Sequence, residues 1–135
     1  MTAMSNHEEY VTYQQAVKLK QLGFNWLCRT WYKREGEFYD QAIPGNVNSS
    51  PRTQRIMPES ASAPTQAVAM RWLRKVHKIS IEPICNTVAQ WNVNVCTICV
   101  CGEILWGKIG LDTYEAALSA GIDAALELIG KEEEE

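Results

Sequence analysis

Gln90-Trp91-Asn92-Val93-Asn94-Val95-Cys96 is the stretch on which the fold turns. Trp91, Val93 and Val95 alternate with Asn92 and Asn94, the period of two that marks a strand with one buried face. Beyond Cys96 the alternation gives way to an apolar run. The strand is therefore expected over 90–100, with its far end buried on both faces. Cys101 and Gly102 read as a tight turn, and 103–109 as the returning strand. Upstream, Ile79–Cys85 reads as a short strand that Pro83 confines to a sheet edge. Consecutive strands with such short connections pair antiparallel.

The flanks are helical. Over 63–78, Val68, Ala69, Trp72, Leu73 and Val76 recur at three- and four-residue spacing on one face, with Arg71, Arg74, Lys75 and Lys78 on another. Ser62 is expected as the N-cap, with Pro64 in the first turn, where backbone donors lack helical partners. After the strands, Asp112 is expected to cap a last helix, with Glu115 at the capping-box position. Its buried stripe runs through Tyr114, Ala117, Leu118, Gly121, Ile122, Ala125, Leu128 and Ile129, and Gly130 ends it.

Nearer the start, 13–22 reads as a first helix. Thr12 and Gln15 form a capping box, Val11 and Ala16 a hydrophobic staple, and Gly23 with Phe24 a Schellman stop packed on Leu19. Residues 25–32 and 37–41 read as a hairpin around the polar turn Lys33-Arg34-Glu35-Gly36. Between them and the basic helix lies 42–61, rich in Pro, Asn and Ser, expected as a long loop that is either mobile or functional. The order α-β-β-α-β-β-β-α predicts one α+β domain. A mainly antiparallel sheet carries about three helices on one face, and residues 1–10 are frayed.

The chain has 135 residues, 46% of them apolar and 21% charged, which excludes a disordered chain, a collagen and a bare coiled coil. No apolar run reaches the roughly 18 residues needed to cross a bilayer, and the polar start lacks a signal-peptide core. A cytoplasmic protein with no membrane role is expected. The net charge is −3, and the tail Glu132, Glu133, Glu134 and Glu135 supplies four negative charges, so the remainder is close to neutral. Five cysteines, an odd number, with no export signal read as reduced thiols.

Three segments carry a resemblance. They are Tyr13-Gln14-Gln15-Ala16 with Lys18-Leu19-Lys20-Gln21-Leu22-Gly23-Phe24, Ala63-Pro64-Thr65-Gln66-Ala67 running into Arg71-Trp72-Leu73-Arg74, and Thr113-Tyr114-Glu115-Ala116-Ala117 followed by Ala124-Ala125-Leu126-Glu127-Leu128-Ile129. Together they resemble small uncharacterised proteins that recur in gut Bacteroidetes genomes and their phages or prophages. The resemblance implies a mobile-element setting and a small accessory protein. It carries no activity, and the stretch from Cys96 to Cys101 falls outside it.

Two groups of residues hint at chemistry. Cys85, Cys96, Cys99 and Cys101 could supply four thiolates to zinc or an iron–sulfur cluster. On a strand, however, Cys96 points away from Cys99 and Cys101, so small buried side chains are the plainer reading and no cofactor is expected. Arg71, Arg74, Lys75 and Lys78 line one side of their helix, and Arg52 and Arg55 in the preceding loop could add to them. The plain alternative is a solvated helix face. His7 and His77 have no neighbouring nucleophile motif, and no phosphate-binding or dinucleotide glycine fingerprint occurs, which leans away from an enzyme.

The expected function is that of a non-enzymatic accessory protein. It would recognise an unidentified protein partner through the 42–61 loop and the basic helix face. The alternative is a nucleic-acid-binding protein using Arg52, Arg55, Arg71, Arg74, Lys75 and Lys78, and a lesser one a cysteine-ligated metal protein. An edge strand at Ile79–Cys85 leaves a homodimer open.

Overall fold

Helix α1 (Tyr13–Gln21) begins and ends where its local chemistry dictates. Thr12 Oγ1 accepts from the Gln15 amide at 3.1 Å, and Gln15 Oε1 accepts from the Thr12 amide at 2.9 Å. Gly23, at φ +96°, turns the chain out of the helix. The Phe24 amide then donates to Leu19 O at 2.9 Å and the Gly23 amide to Lys20 O at 3.1 Å, the paired bonds of a Schellman stop. Val11, Ala16, Leu19 and Phe24 are all buried. A computed structural model supplies these coordinates and describes residues 9–40, 46–86, 88–98 and 102–134, with the backbone alone from 132.

Strands β1 (Thr30–Arg34) and β2 (Glu37–Asp40) form the expected hairpin, pairing Trp31 with Tyr39 and Tyr32 with Phe38. The strand starts at Thr30 rather than at 25. The reason is that Asn46 and Asn48 donate their side-chain amides to Trp26 O and Phe24 O, which occupies those carbonyls.

The stretch expected as a loop is ordered over 46–61; residues 42–45 lie outside the described residues. A single 3₁₀ turn (Val47–Ser49) leads into the short helix α2 (Pro51–Ile56), capped by Ser50 Oγ on the Thr53 amide. Strand β3 (Ala61–Ser62) then pairs with β1, giving the sheet order β2-β1-β3. Ser62 therefore does not cap a helix. Its amide donates to Asn48 Oδ1 and its hydroxyl to Asn46 Oδ1 at 2.6 Å.

Tyr10–Thr65 is one compact unit, and the chain from Gln66 onward belongs to another. The second unit holds helix α3 (Gln66–His77), strands β4 (Ile79–Cys85), β5 (Trp91–Thr97) and β6 (Ile104–Leu111), and helix α4 (Tyr114–Glu134). The strands form an antiparallel meander in the order β4-β5-β6, with Pro83 on an edge as expected. Ile81, Val93 and Val95 are buried beneath α4.

The fold class is α+β, with helices against antiparallel sheets. There are two three-stranded sheets rather than one, and four α-helices among the described residues. Thr113, not Asp112, caps α4, its Oγ1 accepting from the Ala116 amide. The helix runs through Gly130 to Glu134, so a glycine without a turn partner does not stop it. Ile98, expected in a doubly buried run, is exposed, because β5 ends at Thr97.

Candidate functional site

Ala69, Met70, Trp72 and Leu73 are the buried side of α3 and fix its rotation. Gln66 Nε2 donates to Glu115 O at 3.1 Å and ties the start of α3 to the start of α4. At the other end the His77 ring meets Trp72 edge-on, with centroids 4.9 Å apart. That contact shields His77 Nε2, which has no hydrogen-bond partner, so the imidazole is a packing group. Val76, expected in the core, is 50% exposed, with Met70 buried instead.

With the apolar side held, Arg71, Arg74, Lys75 and Lys78 all face solvent. No Asp or Glu occurs between 66 and 78. Among the described residues the ion pairs Arg29–Asp40, Arg34–Glu37 and Lys131–Glu127 leave Arg74, Lys75 and Lys78 uninvolved. Lys78, at φ +58°, ends the helix, and its Nζ donates to Lys75 O at 2.9 Å. A cation there favours the helix C-terminus. The chemistry on offer is anion binding, because guanidinium and ammonium groups donate hydrogen bonds and accept none.

Arg52 and Arg55 are also exposed, but they lie on α2 in the other unit. The structure thus places three of the six predicted cations on α3, with Lys78 one residue past its end, and leaves two on α2.

Cys85 pairs with Trp91 at one end of the β4–β5 ladder, and Cys96 pairs with Ser80 at the other. Ser80 and Cys85 are five residues apart on β4, roughly 16 Å, and point to opposite faces. One ion cannot take both Cys85 and Cys96. Burial pushes the Cys96 thiol up, and the Glu82 carboxylate adds to this, which disfavours the thiolate a metal requires. Cys99 and Cys101 lie outside the described residues. Among the described residues no three His, Cys, Asp or Glu are grouped to hold a metal ion, and no helix is long and apolar enough to cross a membrane.

One feature escaped the sequence reading. Strand β6 exposes Ile104, Leu105 and Ile109. The available signal was its lack of alternation: Ile104-Leu105-Trp106 runs apolar without a polar face.

Comparison with known proteins finds no family model that matches the chain, no similar curated protein and no similar solved structure.

Proposed function

We propose that the protein is a non-enzymatic accessory protein that binds an acidic protein partner on the solvent face of α3, in the phage or mobile-element setting that the resemblance implies. The observation that carries this reading is the set Arg71, Arg74 and Lys75, exposed along α3, with Lys78 exposed just past its end and no acidic residue between 66 and 78. Charge number argues for protein over nucleic acid. Four phosphate contacts give a salt slope of about −3.6, a loss of roughly 100-fold in affinity between 50 and 200 mM salt. Four contacts are thus too few to hold a nucleic acid tightly at physiological salt. A protein partner adds apolar and hydrogen-bonded contacts that salt does not screen.

Fluorescence anisotropy with a labelled polyglutamate peptide, a mixed-sequence DNA duplex and a single-stranded RNA tests the reading. The expected result is binding to the peptide that the triple substitution R74A/K75A/K78A weakens at least tenfold. Binding to DNA or RNA alone, with the steep salt slope, would replace this reading with the nucleic-acid one. No binding to any probe at low salt would leave the row as a solvated face.

A further inference from the structure

None of the eight residues of β6 is buried, although Ile104, Leu105, Trp106, Ile109 and Leu111 are large and apolar. Ile109 is 77% exposed and Ile104 62%. An apolar surface of this kind marks a place where another molecule sits. Among the described residues β6 is also a sheet edge, its outward N–H and C=O groups without a strand partner. The other edge, β4, has no N–H at Pro83. β6 has no proline and a single charge, Lys108.

Two bulges point to the occupant. One extra residue of β6, Leu105, lies between the pairs Val95–Trp106 and Cys96–Ile104. A second extra residue lies at Ile109 and Gly110, between Val93–Lys108 and Trp91–Leu111. The bulges stand on either side of Gly107. A regular strand from another protein falls out of phase at each one. A second β6, antiparallel and related by a two-fold axis at Gly107, sets bulge against bulge and stays in phase. In that register each Lys108 faces Trp106 of the other copy, a cation beside an indole. An axis at Lys108 would instead oppose two like charges. We propose that the protein forms a two-fold dimer through β6, with Leu105 of one copy beside Ile109 of the other, joining two three-stranded sheets into one. An interface of one strand per copy is small, near the lower limit of about 1,200 Å² for specific contacts, so the dimer dissociates on dilution.

Sedimentation velocity from about 1 to about 200 µM tests this. The wild-type mass is expected to rise from 15.3 kDa toward twice that value. L105K/I109K sets like charges against each other across the axis and is expected to stay monomeric. L105E/I109K sets opposite charges there and is expected to restore the dimer. Both positions are exposed, so an unchanged thermal midpoint verifies the fold. A wild-type monomer throughout, or a dimer that survives L105K/I109K, would overturn the proposal. Failure of L105E/I109K to dimerise would overturn its register.

Discussion

Gly121 of α4 lies against Ile81 of β4 so closely that a Cβ at Gly121 would fall 2.5 Å from Ile81 Cγ2 and 3.0 Å from Val93 Cγ2. Both neighbours are buried and β-branched, with little freedom to turn aside. Gly121→Ala is therefore expected to destabilise the protein by about 1–3 kcal/mol despite alanine's better helix propensity. Gly130, in the same helix, has open space where its Cβ would stand. Gly130→Ala is expected to stabilise by about 0.5–1 kcal/mol. Urea denaturation of the two variants should give midpoint shifts of opposite sign.

Asn46 joins three segments. Its amide donates to Trp26 O, and its Oδ1 accepts from the Asn48 amide at 2.7 Å and from Ser62 Oγ at 2.6 Å. Asn46 and Ser62 are buried, so removing this side chain strands their partners away from water. Asn46→Ala is expected to cost about 2–4 kcal/mol. A cost under about 0.5 kcal/mol, usual for a surface loop, would contradict the ordered arrangement.

Alkali should weaken the fold. Burial raises the Tyr32 hydroxyl and the Cys28 thiol above their ordinary values. Burial, with the Glu59 and Glu35 carboxylates, raises Tyr13, and burial with Glu82 raises Cys96. Each group holds its proton more tightly folded than unfolded. The stabilisation is complete below the unfolded values of 9.0 for Cys and 10.0 for Tyr, and is lost as pH rises through the higher folded values. Lys20, lowered by burial, acts in the opposite direction as one group against four. Denaturation midpoints measured at pH 8 and at about pH 10.5 should fall; a rise would overturn the assignment.

Thiol labelling should separate Cys85 from Cys96. Cys85 is exposed, while Cys96 is buried with its thiolate disfavoured. Cys85 is expected to react at least tenfold faster at pH 8 in the folded protein, and the two should converge in denaturant. Mass spectrometry of the labelled peptides reads both rates.

Local chemistry was legible in the sequence, and pairing at a distance was not. Thr12, Gln15, Gly23 and Phe24 specify both ends of α1 within thirteen residues, and they fold as their types dictate. The solvent side of α3 follows equally from helical spacing. Ala61 and Ser62 are too few to show a period, and Ser62 before Ala63 and Pro64 looks like a helix cap. Only its pairing with Trp31, thirty-one positions away, makes it a strand. That pairing, with the Asn46 and Asn48 side chains, also orders the stretch expected to be a loop. Val76 misleads for a related reason: its spacing is that of a core residue, but it lies in the last turn of α3 and stays half exposed.

Lys78 occupies a left-handed backbone conformation, which an L-residue with a side chain adopts at a cost of roughly 1–2 kcal/mol and glycine adopts freely. The junction between α3 and β4 would thus be more stable with glycine, at the loss of the cation that closes the basic row. Under the proposed function, stability and recognition pull against each other at this one position. A selection for thermal resistance alone would be expected to drift toward Lys78→Gly and to shed the proposed anion binding as it did so.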